Sequence, residues 1–165
     1  MLDKTMQGLR KITLNVSAVA VILMAVMEII EIISRSFFSH SFLIVDEFAG
    51  YLMACMTFTG LANSYGAGTF VRVEAIYGLI KGSAKRVLNV AYSVILLIFS
   101  CVFTYYSVLL NYNSFAKHLV STGFYRTPIA YPQLTMSFGL ICFCLYVLLD
   151  IVRQIRDFRK EDTAV

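Results

Sequence analysis

The chain has 165 residues, of which 59% are hydrophobic and only 15% are charged, and its mean hydropathy is +0.75. This composition excludes an ordinary soluble domain and favours a membrane protein. The net charge of +4 does not indicate nucleic-acid binding, because the basic residues are divided among short segments that flank apolar runs.

Four apolar runs of 21 to 26 residues predict four transmembrane helices: Ile12–Ser34, Phe48–Gly68, Val87–Tyr112 and Pro132–Val152. About 20 apolar residues suffice for a helix to cross the hydrocarbon core. Only internally hydrogen-bonded segments are stable there, so we expect an all-α membrane protein with one four-helix domain over residues 1–165. The first run is too long for a cleavable signal peptide, and no small-x-small cleavage site follows it.

The basic residues predict the orientation of these helices. Of the 14 Lys and Arg residues, 11 lie in the two termini and the second connection, and only Arg35, Lys117 and Arg126 lie in the other two connections. Because positively charged segments stay inside, both termini are expected to be cytoplasmic.

The second connection, Thr69–Arg86, carries an amphipathic pattern. Val73, Ile76, Tyr77 and Ile80 follow one another at helical spacing, and basic residues come after them. This pattern predicts a short helix on the inner membrane surface, with a plain solvated loop as the alternative.

Two acidic residues lie inside the first predicted span. Glu28 and Glu31 are three residues apart, and Arg35 follows Glu31 at the spacing of a helical ion pair. An intramembrane carboxylate is a functional candidate by default, so Glu28 could couple transport to a proton or cation. The alternative, which we favour, is an interfacial charge that is satisfied by Arg35 or by a partner subunit.

Asp46 and Glu47 precede the second apolar run. Carboxylates at a helix N-terminus complement its dipole and cap free N–H groups. We expect Arg35 to reach one of these two carboxylates and so to clasp the first outer connection. Pro132 is expected to be the first residue of the fourth helix.

Small and hydroxyl residues mark the predicted packing faces. In the third run and just after it, they form one stripe: Ser93, Ser100, Thr104, Ser107, Asn111 and Ser114. In the second run they form another: Gly50, Ala54, Ala62 and Gly66. Such residues let helix backbones approach closely in lipid, although a substrate pathway would look similar. We interpret both stripes as packing surfaces.

The cysteine and histidine residues give no pattern for catalysis, metal binding or haem binding. Cys142 and Cys144 are two residues apart and point to different faces of a helix, and neither histidine has a second ligand at a regular spacing. A membrane redox enzyme is therefore disfavoured, and we expect no enzymatic activity.

Several short motifs in order resemble the small membrane subunit, of the DctQ type, of tripartite ATP-independent periplasmic (TRAP) transporters. They are Arg35, Val45-Asp46-Glu47, Tyr51-Leu52, Thr57-Phe58-Thr59-Gly60, Phe70-Val71-Arg72-Val73, Thr127-Pro128-Ile129-Ala130-Tyr131-Pro132 and Gly139. The resemblance covers roughly residues 10–152 and includes the same four-span topology.

This resemblance implies a role in the uptake of organic acids, such as carboxylates or sugar acids, across the bacterial inner membrane. The expected partners are a large membrane subunit that carries the substrate by an elevator-type movement, a periplasmic substrate-binding protein, and membrane lipid. Sodium coupling is expected in the large subunit, with no substrate, metal or cofactor site in this chain beyond a bound phospholipid. The alternative function is a self-sufficient, proton-coupled exporter that uses Glu28.

Overall fold

The computed structural model describes residues 2–39, 41–68, 83–123 and 125–162, and four long helices account for most of them. They are α1 (Leu2–Phe38), α2 (Leu43–Gly66), α3 (Ser83–Ala116) and α4 (Ala130–Asp162). Within these described ranges the extended structure is limited to one isolated bridge between Val120 and Pro128. The all-helical architecture predicted from the sequence is therefore confirmed for the described residues.

Three of the four helices contain segments that are long and apolar enough to cross a membrane: Lys4–Phe38, Leu88–Ala116 and Ala130–Arg156. Helix α2 is not among them, so the second span remains a prediction. Its interior carries Thr57, Thr59, Asn63 and Tyr65. Two of these, Thr59 and Tyr65, are buried against neighbouring helices, so they lower the hydropathy of α2 without facing the surroundings.

Several predicted boundaries change slightly. The second predicted span ends at Gly68, whereas α2 ends at Gly66 and Gly68 lies in a turn with φ 74°. Pro132 is not the first residue of α4, because the helix already begins at Ala130. A proline is still accommodated there, since N–H groups of the first turn have no intrahelical acceptor. Both terminal helices also extend beyond their predicted spans.

The helices form a row with α2 and α4 at its centre. Helix α1 packs mainly on α2 and less extensively on α4, α2 packs on α4, and α3 packs on α4. The main core lies between α1, α2 and α4, where six residues are buried together: Met6, Ala62, Tyr65, Phe143, Tyr146 and Val147. This arrangement leaves α1 and α3 at the two edges, each with a broad exposed apolar surface.

Helices α4 and α2 approach each other closely at Gly139. A Cβ atom at this position would lie 2.5 Å from the Phe58 carbonyl carbon and 2.7 Å from the Thr59 nitrogen. Both of these are backbone atoms, so they have little freedom to move aside. The crossing therefore depends on the absence of a side chain, as expected for close helix packing in lipid.

Contacts along the α1–α2 pair combine a small residue with two hydrogen bonds. A Cβ atom at Gly60 would lie 3.4 Å from Ser17 Oγ, and that hydroxyl donates to the Met56 carbonyl at 2.9 Å. Nearer the start of α1 and the end of α2, Arg10 Nε donates to Asn63 Oδ1 at 2.8 Å. Gly60 thus lies at the interface between the two helices.

The hydroxyl stripe of α3 is a packing surface, as predicted. All its members are buried except Thr104, which is half-buried. Ser107 Oγ and Ser137 Oγ lie 2.9 Å apart between α3 and α4, and Asn111 Nδ2 donates to the Ala130 carbonyl at 3.0 Å. The α2 stripe is mixed, because Ala62 is buried while Gly50 is exposed with no heavy atom near it.

The predicted surface helix of the second connection, with Val73, Ile76, Tyr77 and Ile80, lies outside the described residues. The motif Phe70-Val71-Arg72-Val73 lies there as well.

Candidate functional site: outer polar ties and the membrane-facing surface

Glu31 ties the end of α1 to the start of α2. Its side chain is only 5% exposed and accepts three hydrogen bonds, from Arg35 Nη2 at 2.9 Å, Ser41 Oγ at 2.7 Å and the Phe42 N–H at 2.9 Å. The N-cap residue of α2, Phe42, has a side chain that cannot cap the helix. Glu31 of the preceding helix therefore accepts the hydrogen bond from the Phe42 N–H. We call this group the first outer tie, because the orientation predicted from the sequence places it on the outer side.

Arg35 belongs to this first outer tie. The ion pair between Glu31 and Arg35, at 2.9 Å, confirms the spacing argument from the sequence. The predicted clasp from Arg35 to Asp46 or Glu47 is wrong, because its Nη2 donates to Glu31 and Ser41 instead. The buried carboxylate one helical turn earlier is closer than either acidic residue of α2. Asp46 lies exposed in the first turn of α2, where it can complement the helix dipole.

Glu47 forms a second outer tie, on the same predicted side, which joins α2 to the connection between α3 and α4. The Tyr51 hydroxyl donates to Glu47 Oε1 at 2.7 Å, and Thr127 Oγ1 donates to the same oxygen. Gly123 lies so close that a Cβ atom there would be 2.5 Å from Glu47 Oε2. From the sequence Glu47 was expected to cap α2, and its partner Thr127, 80 residues away along the chain, was not predicted.

The hydrogen bonds of the second outer tie favour the ionised form of Glu47, which lies just before the second predicted span. The Thr127 hydroxyl, followed by the Tyr51 hydroxyl, lowers the pKa of this carboxyl from its ordinary value of 4.5. Its contribution to stability is therefore present above pH 4.5 and is lost as the pH falls through the lowered pKa.

A polar cluster toward the C-terminal end of α4 joins three helices and was not predicted. The Tyr65 hydroxyl of α2 donates to Asp150 Oδ2 of α4 at 2.9 Å and lies 3.0 Å from Ser93 Oγ of α3. Gln154 Nε2 donates to both Asp150, at 2.7 Å, and Ser93, at 3.1 Å. A carboxylate near the end of the fourth apolar run was the available sequence signal.

Two thiols also meet between α3 and α4. Cys101 Sγ and Cys144 Sγ lie 3.2 Å apart, and all four cysteines are free. This pair was not predicted from the sequence, where Cys142 and Cys144 are the nearest cysteines, because it depends on the register of the two helices. Among the described residues, no group of three or more His, Cys, Asp or Glu side chains could hold a metal ion.

The edges of the row present large apolar side chains to the surroundings. On α1 and α3 the most exposed of those inside the predicted spans include Ile22, Ile29, Ile32, Ile95, Ile98 and Phe99. A contiguous apolar surface of this extent requires lipid or a partner subunit to cover it.

The remaining predicted site residues take distinct positions. Glu28 is half-buried on α1 and makes no hydrogen bond or ion pair with any residue that the structure describes. Pro132 is half-buried in the first turn of α4, where its carbonyl accepts from Thr135 Oγ1 at 2.7 Å. The structure thus brings together Glu31 with Arg35, and it leaves Glu28, Asp46 and Pro132 apart from one another.

Comparison with known proteins identifies the family. The model of the family described as "Tripartite ATP-independent periplasmic transporters, DctQ component" matches residues 24–157, which include both outer ties and the Gly139 crossing. A comparison with curated proteins found no match. The family is a transporter component and not a known enzyme family. Since the match covers most of its length, the chain belongs to the DctQ family, the small component of TRAP transporters.

Proposed function

We propose that this chain is the non-catalytic small subunit of a sodium-coupled TRAP transporter that takes up organic acids across the bacterial inner membrane. In this proposal it crosses the membrane four times with both termini in the cytoplasm. Its role is to scaffold the stationary part of the large, elevator-type subunit. The match to the DctQ family over residues 24–157 is the observation that carries the proposal.

The architecture supports a scaffold in two ways. The central helices α2 and α4 pack closely at Gly139, which has no side chain, and a core of buried residues joins them. The edge helices α1 and α3 expose apolar side chains that a large membrane subunit and lipid can cover.

Reconstitution tests this function directly. The chain, the large membrane subunit and the periplasmic binding protein are purified and combined in lipid vesicles, and uptake of candidate carboxylates and sugar acids is measured with and without an inward sodium gradient. We expect uptake only when this chain, the large subunit and the gradient are all present. Uptake of the same rate without this chain would refute the proposal.

The exporter alternative is tested at Glu28 in the same vesicles. Glu28→Gln keeps the shape and the hydrogen-bonding capacity of the side chain but cannot exchange a proton. For a scaffold we expect substantial sodium-driven uptake to remain, whereas a coupling carboxylate would not tolerate the change. Complete loss of transport with intact assembly would favour direct ion coupling.

Labelling of single introduced cysteines tests the proposed topology. In a background without the four native cysteines, sites at both termini should react only with reagents added from the cytoplasmic side. Sites in Arg35–Glu47 and Asn113–Tyr131 should react from the periplasmic side. Periplasmic labelling of the C-terminal tail would overturn the orientation.

A further inference from the structure

Two thiols meet across the interface between α3 and α4. Cys101 Sγ and Cys144 Sγ lie 3.2 Å apart, and both cysteines are free. A disulfide bond is about 2.05 Å long, so the two sulfur atoms have to approach by only about 1.2 Å for the bond to form. Small rotations of the two side chains can supply a movement of this size.

Hydrogen bonds on both sides of the thiol pair fix the register of the two helices. On one side, Ser107 Oγ of α3 and Ser137 Oγ of α4 lie 2.9 Å apart. On the other side, Gln154 Nε2 of α4 donates to Ser93 Oγ of α3 at 3.1 Å. The three serines are buried, so these bonds lie within the interface. The close approach of the sulfur atoms therefore follows from the packing of the helices and not from the rotation of one exposed side chain.

The pair differs in access from the neighbouring cysteine of α4. Cys101 is exposed and Cys144 is half-buried, whereas Cys142 is only 5% exposed. A small oxidant can therefore reach the pair, and it reaches Cys101 first. Because the second thiol is held 3.2 Å away, it captures the oxidised sulfur before another oxidant molecule does.

Helix α3 depends on this interface for its position. In the ranges that the structure describes, α3 packs extensively on α4 alone, whereas α4 packs on α1 and α2 as well. The hydrogen bonds between Ser107 and Ser137 and from Asn111 to the Ala130 carbonyl are neutral, and such bonds are individually weak. A covalent bond at this interface would therefore act mainly on the attachment of α3.

We propose that Cys101 and Cys144 form an oxidation site, at which a hydroperoxide converts the two thiols into a disulfide that fastens α3 to α4. A dithiol reductant reverses the reaction by thiol–disulfide exchange. This inference goes beyond the proposed function and does not depend on it, because it requires no partner subunit.

The reaction has two steps. The Cys101 sulfur first attacks the O–O bond and takes one oxygen atom as sulfenic acid, and the rest of the peroxide leaves as an alcohol after it takes up the thiol proton. The Cys144 sulfur then attacks the Cys101 sulfur, the S–S bond forms, and the hydroxyl group leaves as water with the Cys144 proton. The two thiols thus lose two electrons, which the broken O–O bond accepts.

Peroxide treatment of membranes that contain the full chain tests the site. The probe is tert-butyl hydroperoxide, the remaining free thiols are blocked with a maleimide, and the digested protein is analysed by mass spectrometry. We expect a disulfide between Cys101 and Cys144 in most chains, and dithiothreitol should return both residues to thiols. Sulfinic acid at Cys101, disulfides between chains, or free thiols at both positions in place of this bond would overturn the proposal.

Two variants of α4 are matched controls, because their positions are two residues apart on one helix. Cys142→Ala should keep the disulfide, whereas Cys144→Ala should abolish it. Cys101→Ala is a second variant that should lose the bond, and its exposed position means that the substitution opens no cavity. A disulfide that is lost in Cys142→Ala and retained in Cys144→Ala would assign the oxidation to the wrong thiol and overturn the proposal.

Thermal unfolding shows whether the bond fastens α3. The two cysteines are 43 residues apart along the chain, and a disulfide that closes a loop of this length restricts the unfolded state. We expect the Tm of the oxidised wild-type chain to exceed that of the reduced chain by roughly 10 °C, whereas peroxide should leave the Tm of Cys144→Ala unchanged. An equal or lower Tm for the oxidised wild-type chain would overturn the fastening of α3.

Discussion

The helix crossing at Gly139 gives the sharpest prediction for the fold. Gly139→Ala places a methyl group 2.5 Å from the Phe58 carbonyl carbon and 2.6 Å from its oxygen. Ordinary contacts of such atoms are about 3.5 Å, so α2 and α4 have to separate locally by about 1 Å. A gap of that size forfeits a quarter to a half of the dispersion energy of the atoms around the crossing.

Overpacking and helix propensity together give the change in stability that Gly139→Ala should cause. Overpacking against atoms that cannot yield costs about 3 kcal/mol, at the upper end of the usual range. Alanine recovers about 1 kcal/mol through its higher helix propensity, so the net loss is about 2 kcal/mol. For a chain of this length that corresponds to a fall in Tm of roughly 4 to 8 °C.

Gly50→Ala is the matched control, because it is also a glycine within a helix. No heavy atom lies within 4 Å of a Cβ atom built there, so the substitution adds only helix propensity. We expect its stability to be unchanged or raised by up to about 1 kcal/mol. Thermal unfolding of both purified variants in the same detergent is the measurement. If Gly139→Ala is as stable as Gly50→Ala, the close crossing of α2 and α4 does not exist.

Three further predictions follow from other contacts. Glu31→Leu should lower Tm more than Arg35→Ala, because Glu31 is buried and accepts from three donors. The Arg35 side chain is 61% exposed, so its ion pair contributes no more than about 1 kcal/mol. Equal losses of Tm in the two variants would contradict this prediction. His118→Gly should raise the free energy of unfolding by about 0.5 kcal/mol, because His118 follows α3 with φ 49°, a conformation that glycine adopts more easily. A lower Tm for this variant would show that the imidazole itself stabilises the fold. Mild oxidation should form a disulfide between Cys101 and Cys144 within one chain, because their sulfur atoms lie 3.2 Å apart. Mass spectrometry after digestion measures the bond, and Cys101→Ser is the control. Free thiols at both positions would contradict the register of α3 on α4.

The sequence predicted the features that depend on one helix at a time. The hydroxyl stripe from Ser93 to Ser114 was recognised because a packing face repeats along its own helix, whatever the neighbour is. The pairing of Glu31 with Arg35 was predicted for the same reason, since four residues on a helix bring two side chains together.

Contacts between distant segments were not predicted, and the reason is geometric. Glu47 accepts from Thr127 only because the second outer connection folds back over the start of α2. Tyr65 and Asp150 meet only because α2 and α4 pack at one register. A single sequence carries no information on either register, so it predicted a clasp from Arg35 to Asp46 or Glu47, whereas Arg35 donates to Glu31 and Ser41.

Glu28 and Glu31 show how the connection between α1 and α2 decides which carboxylate of α1 is satisfied. A carboxylate in this helix is satisfied within the chain only where a connection returns close enough to offer donors, and the connection between α1 and α2 returns just to the level of Glu31. One turn deeper, no backbone N–H or hydroxyl group of the described chain is within reach of Glu28. The connection between α1 and α2 is therefore closed by hydrogen bonds from its own residues to Glu31, whereas Glu28 gains no hydrogen bond from any described residue.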